Sequence, residues 1–435
     1  MGTVIPPGPY RMVGRENPFY ILQFDKRGGT TAPETLAHAH RTLRIGDFTD
    51  VFVFCHGWNN DWEAATDRYN HFVDGFIGQA PDDPARRALL MGIFWPSALL
   101  VMPGEQAPAM AAEGGLPPDF DAEALADVTE QLDVSSAARV ERLARWDELH
   151  EQEATELAEL LAPVYGGGVE ELGEDTVPPS PHALAASWRA GAPVVTVPKD
   201  EEDNGDWGTA DEAEGGPQAA GLLDKLNPRD IIRGASVWVM KDRAGRVGVG
   251  AVGPLVRAVL ADTDARVHLV GHSFGAKVAL SAICAEPLPR STCSLLLLQP
   301  AINHLCFAES VPGRGRPGGY RSALERVERP IFSTYSAHDL PLTRFFHWAL
   351  RREADIGEPK IAAWPDPPSD YAALGGYGPH GADRATQRVT LNRPSQPYSL
   401  DLDKPLAAVD ATAGVSGHSD ISNPFTWWAL RELAA

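Results

Sequence analysis

Ser273 lies in Gly271-His272-Ser273-Phe274-Gly275, a Gly-x-Ser-x-Gly pattern that flanks a hydroxyl with residues lacking side chains. A serine hydroxyl becomes a useful nucleophile when the backbone holds it clear and a base takes its proton. A sharp strand-to-helix turn meets the first need, and it brings the chain so close to itself that only small residues fit on either side. The same turn leaves the Phe274 N–H at a helix start, where free amides and the helix dipole favour developing negative charge. So loose a pattern also arises by chance, and context decides. Val267 to Val270 before it is a β-branched, apolar run of the buried-strand kind, and the segment after it is Ala-rich with helical spacing.

Other chemistry-bearing patterns carry less. Gly248-Val-Gly250-Ala-Val-Gly253 matches Gly-x-Gly-x-x-Gly, but no strand precedes it, so close helix packing is expected rather than a dinucleotide. His150-Glu-Gln-Glu-Ala154 opens like a zinc-protease motif and lacks the second histidine. No Walker A lysine follows a suitable loop. Cys55, Cys284, Cys293 and Cys306 show no metal spacing and read as reduced, buried thiols. The expectation is therefore no metal and no cofactor.

The elements that must position Ser273 alternate. Phe19 to Phe24 reads as a strand, Thr31 to Leu43 as a crossover helix with Pro33 near its start, and Val51 to Cys55 as a wholly apolar strand. Asp61 to Ile77 follows as an amphipathic helix and Leu89 to Trp95 as the next strand, which together indicate a parallel sheet with right-handed crossovers. Beyond the nucleophile come strands at Leu295 to Leu298, Ile331 to Tyr335 and, last, Leu406 to Thr412. Residues 236–260 repeat apolar side chains every three or four positions, predicting one or two helices with a break at Pro254. Residues 1–18 read as an irregular arm, and 351–404, rich in Pro and Gly, resist assignment.

The chain has 435 residues and a net charge of −21, and the location of that charge is informative. Between 103 and 227 there are 28 acidic and 6 basic side chains, so this segment alone carries −22 and the rest is near neutral. Within it, 119–162 is strongly helical, with Val140, Leu143, Trp146 and Leu149 on one stripe continued by Leu157, Leu160 and Leu161. Residues 173–217 mix Pro, Gly and acid, including Asp200-Glu-Glu-Asp203, and read as a loose loop. The expected division is 1–102 and 228–435 as the two parts of one α/β core, with 103–227 as an acidic helical cap inserted between them. Such acidity argues against a nucleic-acid partner. With no unbroken run of 18 apolar residues and no basic, apolar leader, no membrane insertion is expected and a cytoplasmic protein is the default.

The strand, turn and helix around Ser273 resemble the nucleophile elbow of the α/β-hydrolase superfamily. Val51-Phe-Val-Phe-Cys-His-Gly-Trp58 followed by Asn59-Asn60, and Ile93-Phe-Trp-Pro-Ser97, sharpen the likeness. Together they resemble a poorly characterised bacterial branch of serine esterase-like hydrolases. The resemblance covers 48–102 and 228–340, with a weaker tail around 405–425, and leaves out 103–227. It implies an α/β-hydrolase fold, a mostly parallel central sheet with helices on both faces, and a triad in the chain order Ser, acid, His. Asp339, 66 residues after Ser273 and just past a predicted strand, takes the acid position, with a helix N-cap as its plainer role and Asp355 and Asp366 as rivals. Of 13 histidines, His418 follows the last predicted strand as the base must. His380 is its rival, whereas His338 next to Asp339 should point away. Trp58 is expected to give the second oxyanion amide beside that of Phe274, with His56, Gly57 and His272 lining the substrate pocket.

These readings predict a serine hydrolase acting on a small or medium-sized carboxylic ester. Thioester, amide or peptide cleavage and acyl transfer remain open, because fold and triad do not fix the bond. The other class is an interaction protein whose acidic cap docks a basic partner while the hydrolase body serves as scaffold or regulated effector.

Overall fold

The computed structural model describes residues 8–79 except Arg15 and Asn59, then 86–97, 120–166, six positions between 180 and 188, 226–345, 366–367 and 370–435. Nine strands form one sheet: β1 (Arg11–Val13), β2 (Asn17–Gln23), β3 (Asp50–Cys55), β4 (Ala88–Phe94), β5 (Arg266–His272), β6 (Ser294–Leu298), β7 (Ile331–Tyr335), β8 (Thr386–Thr390) and β9 (Leu406–Asp410). Their spatial order is β1-β2-β4-β3-β5-β6-β7-β9-β8. Every pairing is parallel except that of β1 with β2. The central strands β3 and β6 are buried along their whole length, the physical reason they read as unbroken apolar runs.

Alternate side chains of the strands feed two cores. Phe52, Phe54, Val270, Leu296, Leu298, Phe332 and Val409 face α2 (Trp62–Gln79) and the C-terminal helix Pro424–Ala434. Val51, Val53, Val267, Leu269, Leu295 and Leu297 belong to the other core, with α1 (Pro33–Ile45) and the helices that follow the insertion. Helices thus cover both faces of a mostly parallel sheet, as expected.

The insertion supplies α3 (Phe120–Thr129), α4 (Val134–Leu143) and α5 (Glu151–Leu161). Asp133 caps α4, accepting from the Ser135 and Ser136 amides at 2.9 and 3.1 Å. Val140, Leu143, Leu149, Leu157 and Leu161 are buried, as the stripe predicts, but Trp146 is 40% exposed. The reason is local: α4 stops at Leu143, so the helical phase that would carry Trp146 inward is lost. These helices join the same core as the body. Asp127 pairs with Arg243 at 2.6 Å, and that guanidinium also donates to the Pro96 carbonyl at 3.0 Å. The acidic loop expected over 173–217 lies almost entirely outside the described residues.

Asn227 caps α6 (Pro228–Val247), which passes through a five-residue π turn, Gly248–Val252, into α7 (Gly253–Asp262). The discontinuity expected at Pro254 is therefore taken up just before it: the π turn absorbs the missing proline N–H and Pro254 sits in the first turn of α7. The Gly-x-Gly-x-x-Gly stretch is this π turn. A Cβ on Gly248 would lie 2.5 Å from the Val278 carbonyl of the neighbouring helix α8 (Phe274–Cys284), so helix packing accounts for that glycine. Although unbroken apolar runs are short, Ile231–Asp262 is long and apolar enough to cross a membrane, with a window of mean hydropathy 1.3. Of that window 61% is buried inside the protein.

Two strands escaped the sequence reading. β1 lies inside the arm read as irregular, and β8 inside the unassigned stretch. Both are edge strands with little apolar surface to mark them. Cys55, Cys293 and Cys306 are buried and Cys284 half-buried, and all four are free thiols.

Candidate active site

β3 and β5 are parallel neighbours with Cys55 opposite Gly271, so the loops after both strands emerge side by side at the carboxyl edge of the sheet. In the second of these loops Ser273 adopts φ 55°, ψ −124°. A non-glycine residue in that region is strained by roughly 1–3 kcal/mol, held by its surroundings. The surroundings here are close. A Cβ on Gly275 would lie 2.1 Å from the Cys55 carbonyl oxygen, and one on Gly57 would lie 2.5 Å from the Ser273 Cβ. The glycines are thus required because the backbones of the two loops touch.

The structure brings the three triad candidates together. His418 Nε2 is 2.9 Å from Ser273 Oγ, and His418 Nδ1 is 2.8 Å from Asp339 Oδ2. A carboxylate only accepts, so Nδ1–H donates to Asp339 and the bare Nε2 accepts the serine proton. All three are buried. They come from loops after three different parallel strands: Ser273 after β5, Asp339 after β7 and His418 after β9. Asp339 also fills its plainer role, because its Oδ1 accepts from the Leu342 amide at 3.0 Å while Oδ2 holds His418. One carboxylate caps a turn and orients an imidazole together.

The rivals stand elsewhere. His380 approaches the Tyr377 carbonyl at 3.3 Å and rests against His304, with ring centroids 5.2 Å apart. His338 meets the Ser336 hydroxyl through its amide rather than its ring. Asp366 is exposed, and Asp355 lies outside the described residues.

His272 and His56 were expected to line the pocket, and their contacts assign them to holding loops instead. His272 Nε2–H donates to the His418 carbonyl at 2.9 Å, with the two rings 5.0 Å apart. Burial first, then the neighbouring His418, push its pKa well below the ordinary value, so it stays neutral. His56 is 1% exposed and stacked on Trp95. Its Nδ1–H donates to the Gly57 carbonyl at 2.7 Å, and its Nε2 faces the Trp95 amide at 3.3 Å. Burial brings its pKa down to about 4. With both nitrogens engaged by backbone, the ring is a post rather than a pocket wall. Gly57 faces Ser273 itself.

Trp58 and Phe274, the expected oxyanion pair, are neighbours, with rings edge-on at 5.4 Å. The Trp58 ring also meets His418 edge-on at 6.4 Å. What fixes the Trp58 loop went unread in the sequence. The buried side-chain amide of Asn60 donates through Nδ2 to the Trp58 carbonyl at 2.6 Å and to that of Gly57 at 3.1 Å. Arg68 in turn donates to Asn60 Oδ1 at 3.2 Å. Ser97 Oγ accepts the backbone N–H of Asn60 and donates to its backbone carbonyl, each at 3.1 Å. Tyr69 OH donates to the Ile93 carbonyl at 2.6 Å and receives the His56 amide at 2.9 Å. The His-Gly-Trp-Asn and Trp-Pro-Ser motifs therefore form one clamp, linking positions 37 residues apart.

A second Ser-His-Asp chain lies at the opposite edge of the sheet. His268 Nδ1 is 2.8 Å from Ser294 Oγ and its Nε2 is 3.0 Å from Asp50 Oδ1, with all three fully buried. Burial alone would raise the Asp50 carboxyl. Hydrogen bonds from His268 and Thr49 and the charges of Arg86 and Arg266 instead carry it down to about 2. The ring therefore donates Nε2–H to a fixed carboxylate. This chain pins strands and the chain end, since Arg266 also donates to the Ala435 carbonyl oxygen at 3.0 Å. Among the described residues no group of three or more His, Cys, Asp or Glu is placed to hold a metal ion. No family model, curated protein or solved structure matches the chain.

Proposed function

We propose that this protein is a serine hydrolase of the α/β-hydrolase type, cleaving a carboxylic ester of a small or medium-sized substrate. The observation that carries the reading is the unbroken chain from Ser273 Oγ through His418 to Asp339, with links of 2.9 and 2.8 Å. The strained Ser273 backbone and the Ser, Asp, His chain order support it.

In this reading Ser273 Oγ attacks the ester carbonyl carbon while its proton passes to His418 Nε2. Asp339 stabilises the resulting imidazolium. The tetrahedral oxyanion is held by the amides of Phe274 and Trp58. His418 then gives its proton to the departing alkoxide oxygen, leaving an acyl-serine and an alcohol. Water, deprotonated by the same Nε2, attacks the acyl carbon, and the returned proton restores Ser273 and frees the carboxylic acid. Segment 103–227 acts as an acidic cap that selects substrates, and its −22 charge disfavours anionic lipid surfaces.

The test is turnover of a series of p-nitrophenyl esters from acetate to decanoate by the full chain. The reading expects hydrolysis that falls about 10⁴-fold or more in Ser273→Ala. Equal turnover by both proteins would place the activity elsewhere.

A further inference from the structure

We infer that Ser336 is a positioning residue of the triad, tying the loop of the acid to the loop of the base through its buried hydroxyl. This rests on the hydrolase reading above. Ser336 is the first residue after β7, is fully buried, and uses every polar group it has on a different partner. Its Oγ–H donates to the Val415 carbonyl at 3.0 Å, three residues ahead of His418. The same oxygen accepts the His338 amide at 3.1 Å, which folds the chain toward Asp339. Its carbonyl accepts the Asp339 amide at 3.2 Å, and its own amide donates to the Gly375 carbonyl at 3.1 Å.

The Gly375 contact continues to the nucleophile. Gly375 N–H donates to the Pro300 carbonyl at 2.9 Å, in the turn that follows β6. That turn grips Ser273 from both sides: the Leu298 carbonyl accepts the Ser273 amide at 3.0 Å, and the Ala301 amide donates to the Ser273 carbonyl at 3.2 Å. The turn is itself strained, with buried Gln299 at φ 43° and its amide held by Thr334 Oγ1 of β7 at 2.9 Å. Non-glycine strain persists where neighbours over-determine the backbone, and it clusters at working sites. The three triad loops thus share one hydrogen-bonded brace, in which the Ser336 hydroxyl touches both the acid and the base side and the Ala337 amide adds a longer link to Thr412 Oγ1 at 3.3 Å. Removing its hydroxyl leaves the Val415 carbonyl without its donor and the His338 amide without its acceptor. The base loop keeps the His272 bond to the His418 carbonyl but loses this tie to the acid loop, which loosens the imidazole on the line between Ser273 and Asp339.

The test compares Ser336→Ala, Ser336→Thr and Ser333→Ala with wild type. Ser333, on β7, has a buried hydroxyl with no hydrogen-bond partner among the described residues, so its removal controls for loss of a buried serine. Three readouts are taken on the full chain: the rate of covalent labelling by a fluorophosphonate, kcat and KM on a p-nitrophenyl ester, and amide exchange over 411–418 by mass spectrometry. In Ser336→Ala, labelling and kcat are expected to fall about 10- to 100-fold at little change in KM, with faster exchange in the base loop. Ser336→Thr keeps the hydroxyl and recovers most of the rate, and Ser333→Ala matches wild type in all three readouts. Equal behaviour of Ser336→Ala and Ser333→Ala overturns the inference. So does slowed labelling without faster exchange, because the hydroxyl would then act on the reacting atoms directly. A wild type that never labels defeats the hydrolase reading instead, and exchange alone then decides whether Ser336 holds the loop.

Discussion

Asn60→Asp changes a donor into an acceptor without changing the shape of the side chain. The native amide bonds the Trp58 and Gly57 carbonyls at 2.6 and 3.1 Å in a site 1% exposed. After substitution both carbonyls face a carboxyl oxygen. The Gly57 carbonyl keeps the His56 Nδ1–H, so the Trp58 carbonyl is the one left without its donor, at a cost of about 1–3 kcal/mol unless the loop turns away. Turning away relieves the strain and moves the Trp58 amide, and loss of one oxyanion donor lowers kcat about 10²- to 10³-fold. Denaturant melts give the stability change, and kcat and KM on a p-nitrophenyl ester give the catalytic one. The expected pattern is a folded but less stable protein with kcat reduced and KM near wild type. Wild-type kcat in a stable variant would refute the assignment of this loop to the oxyanion. Wild-type stability would refute the energetic value placed on the clamp.

Gly275→Ala should destabilise by about 1–3 kcal/mol or prevent folding, since its Cβ would meet backbone at 2.1 Å that cannot yield as a side chain would; an unchanged urea midpoint would contradict this. The Asp50 carboxyl is depressed from 3.8 to about 2, so its contribution of about 2 kcal/mol is present above pH 4 and lost as pH falls through 2. Acid unfolding of wild type and Asp50→Asn should accordingly differ in slope between those limits, and parallel curves would rule the linkage out. His56 and His272 are both held neutral by burial, so neither should add a proton to the acid limb of the pH–rate profile, which should have a slope of one. A slope of two would mean that one of the loop-holding histidines titrates in the working range.

The legible parts of this fold are those where burial leaves a mark on residue type. β3, β5, β6 and β7 run through the middle of the sheet and are buried on both faces, so mostly apolar runs such as Val51–Phe54 and Leu295–Leu298 announce them. β1 and β8 sit at the edges, where backbone pairing needs no apolar run, and they read as loop. Trp146 was misplaced because periodicity cannot say where a helix stops. The triad candidates were legible through the elbow and the resemblance, and the structure draws Ser273, Asp339 and His418 into contact. The work of Asn60 and Ser97 was not legible. Their contacts depend on β3 and β4 lying in register, which one sequence does not reveal. His56 illustrates the same limit: a histidine in a loop beside a candidate nucleophile reads as pocket, and only its two backbone contacts show it to be a support.

The central claim is that Ser273 is an activated nucleophile, and covalent labelling tests it most directly. Wild type and Ser273→Ala are exposed to a fluorophosphonate probe and weighed intact. The account predicts one phosphonyl adduct on wild type, mapped by peptide mass to Ser273, and none on the variant. Equal labelling of both, or an adduct on another residue, would contradict it.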